Sequence, residues 1–100
     1  MGRSRRPQPA KLASKLREIR VKLNLSQQQM AEHLSRKKIS VRPGHISDYE
    51  LGKREPPLAA LLAYSRLAGV YLDVLVDDLI GLPERLPAGS KHKMGVAKQS

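Results

Sequence analysis

The stretch LSQQQMAEHL, residues 25–34, is followed after a basic segment by HISDYELGKREP, residues 45–56. Ser26 and Gln29 have the Ser-x-x-Gln spacing of a capping box, in which each side chain bonds to the backbone N–H of the other residue. This spacing predicts a helix that begins after Ser26. The second part predicts another helix, and the two together form a helix-turn-helix outline.

The second helix is predicted to run from Pro43 to about Leu51. Proline suits the first turn of a helix, and Gly52 can adopt the left-handed conformation that often follows the last turn. Ile46 and Tyr49 are expected to face the core. The residues left to face a partner are Arg42, Gly44, His45, Ser47 and Asp48.

Apolar spacing predicts three further helices, over residues 10–23, from 58 to the glycine at 69, and over 71–80. The buried side of the second is expected to consist of Leu58, Leu61, Leu62, Ser65 and Leu67 or Ala68. The last of the three is apolar on nearly every side, so we expect something beyond the domain's own core to cover it. The fold class is therefore all-α, with five helices. We expect a basic arm over residues 1–9, the helical domain over 10–82 and a flexible basic tail over 83–100.

The net charge of +10 indicates a partner of opposite charge. Concentrated cationic charge is typical of proteins that bind nucleic acid, although a solubilising tail or an acidic membrane surface would also explain it. The chain has no cysteine, which fits a reducing cytoplasm. No apolar run approaches the roughly 20 residues that span a bilayer, so we expect no membrane partner.

An ordered set of residues resembles the phage repressor and Cro type of helix-turn-helix protein, the Xre family. The similarity covers residues 12–76 and rests on three groups of matching positions. These are Arg20, Ser26, Gln27 and Ala31; then Ile46, Tyr49, Glu50, Gly52, Lys53, Arg54 and Pro56; then 61–67, Gly69, Val70, Leu72, Asp73 and Leu75. The resemblance implies a lambda-repressor-like domain that binds double-stranded DNA as a homodimer, with its third helix in the major groove.

The resemblance also implies roles for particular residues. Gln27 corresponds to a glutamine that meets a phosphate, and Lys53 and Arg54 correspond to a loop that grips the DNA backbone. Arg20 and Glu50 correspond to a structural salt bridge. The base-reading positions correspond to Pro43, Gly44, His45, Ser47 and Asp48.

Two features depart from the family pattern. Five extra residues lie between the second and third helices, and they bring three cations that we expect at the DNA backbone, Arg36, Lys37 and Lys38. Pro43 and Gly44 replace the long polar residues that the family often has there. We therefore expect base reading to shift to Arg42, His45, Ser47 and Asp48, with Arg42 the leading candidate because arginine to guanine is the commonest specific contact.

The resemblance implies two further surfaces. Dimers of this family often use the fifth helix, so we expect Val74, Leu79, Ile80 and Leu82 at a two-fold interface. Related repressors also embrace the duplex with a basic arm, which here contains Arg3, Arg5 and Arg6. The arm would enter a minor groove, or it would only add nonspecific attraction.

Other classes of function find little support. The histidines share no metal-ligand spacing, no catalytic residues are recognisable, and no cofactor or small-molecule substrate is expected. The prediction is a sequence-specific transcriptional regulator that acts as a repressor, and not an enzyme. The alternatives are an antitoxin or controller that also binds a protein, and a protein- or RNA-binding scaffold of the same fold.

Overall fold

The structure, a computed structural model, describes residues 9–37 and 39–87. This part of the chain is all-helical, and its five helices are α1 (Leu12–Lys22), α2 (Gln27–Arg36), α3 (Pro43–Leu51), α4 (Leu58–Ala68) and α5 (Leu72–Val76). Helix α1 packs against α3, α4 and α5, while α2 packs on α3 and α4 on α5. The predicted fold class is therefore confirmed.

The core consists of aliphatic side chains and two tyrosines. Leu16, Ile19 and Ile46 are fully buried at its centre, and each such side chain contributes about 1.5–3 kcal/mol relative to an exposed one. The other members of the core are Leu12, Met30, Ala31, Leu34, Val41, Tyr49, Leu61, Ala63, Tyr64, Ala68, Leu75 and Leu86.

Local capping signals determine the ends of α2 and α3. The Ser26 hydroxyl accepts from the Gln29 amide at 3.0 Å, and Gln29 Oε1 accepts from the Ser26 amide at 2.8 Å, so the predicted capping box is present. Gly52 adopts a φ of 76° directly after α3. Asn24, at φ 60°, takes the left-handed conformation after α1.

The buried side of α4 matches the prediction at Leu61, Ser65 and Ala68 but not at Leu58. Leu58, expected in the core, is 63% exposed, whereas Tyr64 is fully buried. The helix starts after Pro57, and the buried set is Ala60, Leu61, Ala63, Tyr64, Ser65 and Ala68. Tyr64 is a member of the core, whereas Leu58, in the first turn of α4, lies outside it.

Helix α5 is half as long as predicted, because Lys15 holds the chain after it. The prediction of a helix over residues 71–80 is wrong, since α5 ends at Val76. Lys15, only 4% exposed, lies on the buried face of α1. Its Nζ donates to the carbonyl oxygens of Val74 at 2.7 Å, Asp77 at 2.8 Å and Ile80 at 2.7 Å. These carbonyls must converge on one ammonium group, which is incompatible with a continuous helix.

The turn after α5 also caps α1. Lys11, at the N-cap position of α1, makes no side-chain cap. Instead Asp78 accepts from the amides of Ala10 at 2.8 Å and Lys11 at 3.0 Å. These bonds, first that from Lys11, lower the pKa of the Asp78 carboxyl. The contact therefore stabilises the fold at pH values above the ordinary pKa range of a carboxyl group. This stabilisation is lost as the pH falls through the lowered pKa of Asp78.

The packed domain extends past the predicted boundary at Leu82. Leu86 is 3% exposed and belongs to the core. Lys22 Nζ donates to the carbonyl oxygens of Pro83 at 3.0 Å and Glu84 at 2.7 Å. The segment 83–87 is therefore part of the domain and not of a flexible tail.

Candidate nucleic-acid interface

The first turn of α3 presents polar groups on the surface. Arg42, at the N-cap position, and Gly44 are exposed. A Cβ placed on Gly44 would meet nothing within 4 Å, so no contact inside the chain requires a glycine there. His45 is half-buried, and its ring Nδ1 accepts from the Arg42 amide at 3.2 Å.

The next turn of α3 separates a buried side from a polar side. Ile46 and Tyr49 are buried, as predicted, while Ser47 and Asp48 are half-buried. The Asp48 carboxylate lies 3.6 Å from Nε of Arg54. Because both side chains are largely exposed, this pair contributes little to stability. It does place a cation beside the one carboxylate among the base-reading candidates.

The loop after α3 is held to the helix end by its backbone. The amides of Lys53 and Arg54 both donate to the Asp48 carbonyl, at 2.9 and 3.3 Å. The side chains of both residues are exposed. This arrangement places two cations directly beyond the C-terminal end of α3.

Arg20 and Glu50 form the predicted salt bridge between α1 and α3. Arg20 Nε donates to one Glu50 oxygen at 2.6 Å, and Nη2 donates to the other at 3.1 Å. The side chains are 14% and 4% exposed, so the pair is largely removed from water. The hydrogen bond to Glu50 raises the pKa of Arg20 against the opposing effect of burial.

The same carboxylate holds the start of α2. Gln27 Nε2 donates to Glu50 Oε1 at 3.2 Å. Arg20 Nη1 also donates to the Leu25 carbonyl at 2.9 Å, just before the Ser26 cap. Glu50 therefore connects α1, α2 and α3, and it positions the glutamine expected at a phosphate. Sequence matching indicated the salt bridge but not this third contact.

The buried Tyr64 ring lies beside this network. Its hydroxyl has no hydrogen-bond partner within the described part of the chain. Burial, followed by the negative charge of Glu50, raises the pKa of Tyr64 well above its usual value. The tyrosine is therefore neutral, and its role here is to fill the core.

Two apolar side chains anchor the extra segment between α2 and α3. Val41 is buried and Ile39 packs against the core. The Ile39 amide donates to the Leu34 carbonyl at 3.4 Å, and Ser35 Oγ donates to the Val41 carbonyl at 3.3 Å. Helices α2 and α3 still pack directly on each other. The insertion therefore lengthens the connection while the two helices stay in contact.

Exposed cations at the end of α2 and directly after it lie next to a shallow groove. Arg36 and Lys37 are exposed, whereas Lys38 lies outside the described residues. An open groove of about 490 Å³ runs beside them, lined by Gln28, Ala31, Glu32, Ser35, Arg36, Val41 and Pro43. The arm residues Arg3, Arg5 and Arg6 also lie outside the described residues.

The residues expected at a dimer interface differ in exposure. Leu79 is 94% exposed, while Val74 and Ile80 are half-buried. Leu82 packs against the domain's own core. Tyr71, which the sequence analysis did not select, is 84% exposed directly before α5. In the sequence, the position of this aromatic residue beside an apolar helix could have indicated that it contributes to the same surface.

Comparison with known proteins identifies one family. A family model described as helix-turn-helix matches residues 16–75, which reach from α1 into α5. No curated protein and no solved structure gives a significant match. Within residues 9–37 and 39–87, no helix is long and apolar enough to cross a membrane, and no cluster of His, Cys, Asp or Glu could hold a metal ion.

Proposed function

Because the chain belongs to the helix-turn-helix family of DNA-binding regulators, we propose that it is a sequence-specific repressor that binds double-stranded DNA as a homodimer. The family match confirms the resemblance to the phage repressor and Cro type and the lambda-repressor-like fold. A protein bound across a promoter blocks transcription by occupancy alone. Repression by occupancy therefore needs only contacts to DNA, which two copies of the protein make together. We propose that this action takes place in the cytoplasm.

One observation supports the proposal above the others. The polar side of α3 is exposed or half-buried while its apolar side is buried, and exposed cations come before and after the helix in the chain. Before it come Arg36 and Lys37, and after it come Lys53 and Arg54. A helix that enters the major groove passes between two phosphate backbones, so cations on both sides match the charge of the duplex.

Selection of bound duplexes from a random pool tests this function. Nonspecific attraction between a basic protein and DNA enriches no particular sequence, whereas base reading enriches one motif. We expect a short motif with two-fold symmetry, because a symmetric dimer recognises two related half-sites. A pool that stays random after repeated rounds would reject sequence-specific binding.

Arg42 is expected to read a base. Replacing Arg42 with Ala should weaken binding to the selected duplex by about 1–3 kcal/mol and relax the preference at one or two positions. Arg42→Lys is the matched control, since it keeps the charge but lacks the planar fork that contacts guanine twice. Affinities for the selected and random duplexes provide the readout. Equal losses on both duplexes, with full rescue by lysine, would assign Arg42 to the phosphate backbone.

Arg36 is expected to contact the phosphate backbone. Arg36→Gln should weaken binding to all duplexes and reduce the slope of log affinity against log salt by about one. Arg66, exposed on α4, supplies the control variant Arg66→Gln, which should leave the slope unchanged. The slope is measured by titration at several salt concentrations. An unchanged slope for Arg36→Gln would place the C-terminal end of α2 away from DNA.

The apolar surface around α5 is proposed as the dimer interface, with Val74, Leu79, Ile80 and Leu82 as its predicted residues. Leu79→Asp should give a folded monomer with weakened binding to the symmetric motif, because an isolated charge would be buried between the subunits. Leu58→Asp, at another exposed leucine, should remain dimeric. Sedimentation measures both. Wild-type protein that is monomeric at high concentration and on DNA would contradict the interface.

A further inference from the structure

The hydrogen bond at the start of α3 determines which nitrogen of His45 carries a proton. The Arg42 amide donates to Nδ1 of His45 at 3.2 Å. A ring nitrogen that accepts a hydrogen bond bears no hydrogen, so a neutral imidazole with this contact carries its hydrogen on Nε2. The His45 side chain is therefore a hydrogen-bond donor at Nε2.

The same backbone arrangement occurs at the start of α2. There Gln29, three residues after the Ser26 cap, accepts from the cap residue's amide at 2.8 Å. His45 stands three residues after Arg42 and makes the equivalent bond with its ring. In both helices the contact fixes a polar side chain against the first turn.

His45 also lies among the residues proposed to face DNA. Arg42, which bonds to the ring, and Gly44, which precedes it, are exposed, and the ring is only half-buried. The bond from Arg42 is the only hydrogen bond that the described residues give to the ring. The Nε2–H group, at the opposite side of the ring from Cβ, is thus the group that the ring offers to a ligand.

We propose that His45 determines specificity at one base pair by donating its Nε2–H to an acceptor on the major-groove edge. This inference rests on the proposed function and adds the class of base atom that the residue reads. Guanine, adenine and thymine each offer an acceptor in the major groove, whereas cytosine offers an amine donor. His45 therefore selects against cytosine on the strand that it contacts.

Two variants separate base reading from helix capping. His45→Gln and His45→Glu both retain an oxygen that can accept from the Arg42 amide, as Gln29 does for Ser26. Both should melt close to the wild-type temperature, whereas His45→Ala, which lacks any acceptor, should melt lower. The two variants differ in the group that is left to contact DNA. Glutamine offers an N–H donor, whereas glutamate offers only acceptors.

Selection from a random pool with wild-type protein, His45→Gln and His45→Glu is the test. At one position the wild type should disfavour cytosine about tenfold, and His45→Glu should favour cytosine there, since a carboxylate accepts from its amine. His45→Gln should keep disfavouring cytosine at that position, because its oxygen accepts from the Arg42 amide and its amide nitrogen still donates to DNA. All other positions of the motif should stay unchanged.

The outcomes distinguish this inference from the proposed function. If wild-type protein enriches no motif, the proposed function fails, and the inference fails with it. If it enriches a motif that is identical for wild-type protein and folded His45→Glu, only the assignment of His45 is overturned. A wild-type preference for cytosine at the position that responds to His45 would also overturn the inference, because the ring would then offer an acceptor. Should His45→Glu not fold, His45→Ala decides the result below its melting temperature, since discrimination against cytosine that persists without the ring would overturn the inference.

Discussion

Replacing Lys15 with Met should lower the free energy of unfolding by roughly 3–5 kcal/mol. The methionine fits the buried space but leaves three carbonyl oxygens, those of Val74, Asp77 and Ile80, without their donor. A hydrogen bond from a charged group contributes about 1.5–3 kcal/mol, so three independent bonds would contribute about 4.5–9 kcal/mol. The expected value is smaller because these backbone groups can regain water when the turn loosens.

Urea denaturation of Lys15→Met beside Lys11→Met measures this effect. Lys11 lies one turn earlier on the chain and its side chain is exposed, so its replacement should change the stability by less than about 0.5 kcal/mol. Equal stabilities of the two variants would show that the ammonium of Lys15 does not hold the turn after α5. The account of the short α5 helix would then be wrong.

Replacing Glu50 with Ala should cost about 3 kcal/mol of stability, the lower end of the range for breaking a buried ion pair. The change leaves the Arg20 guanidinium, 14% exposed, without its carboxylate and removes the acceptor for Gln27. Arg20 keeps its bond to the Leu25 carbonyl, which limits the loss. Because Gln27 is released, DNA affinity should also fall.

A double-mutant cycle with Arg20→Ala and Glu50→Ala isolates the energy of this pair. Glu18→Ala is the control: Glu18 and Lys22 lie 3.0 Å apart on the surface of α1, a pair expected to contribute about 0.3–0.5 kcal/mol. Thermal melts of the variants provide the values. Loss at Glu50 no greater than that at Glu18 would contradict a buried, structural carboxylate.

The elements that the sequence predicted well are those with local signals. The Ser26 and Gln29 capping box, and the glycine at 52, act through residues within one turn of the helix end. Their effect does not depend on the rest of the fold. The start of α2 and both ends of α3 could therefore be predicted from the chain before any packing was known.

The elements that the sequence predicted poorly depend on distant contacts. Lys15 holds carbonyls some sixty residues away, and Asp78 caps α1 from the other end of the domain. From the spacing of apolar residues, Lys15 is an exception on an apolar helix face, and Asp78 is expected to be a solvated surface residue. Neither pattern indicates the partner, so the early end of α5 and the cap of α1 could not be foreseen.

For the proposed binding residues too, the sequence identifies individual positions, whereas the contacts between them come from the structure. Motif matching identified Arg20 and Glu50 as a pair and Gln27 as a separate phosphate contact. Only the structure joins the three, since Gln27 Nε2 and Arg20 both reach the Glu50 carboxylate. Likewise, His45 could be chosen from its place on α3, but its protonated nitrogen follows from a single bond to the Arg42 amide.

The affinity ratio between the selected duplex and a shuffled duplex of the same length and composition tests the central claim most directly. Both duplexes carry the same phosphate charge, so counterion release contributes equally to each and only base-dependent recognition separates them. At about physiological salt we predict that the selected duplex binds at least roughly a thousandfold more tightly, the lower limit typical of specific regulators. Equal affinities for the two duplexes would contradict the claim that this protein recognises a DNA sequence.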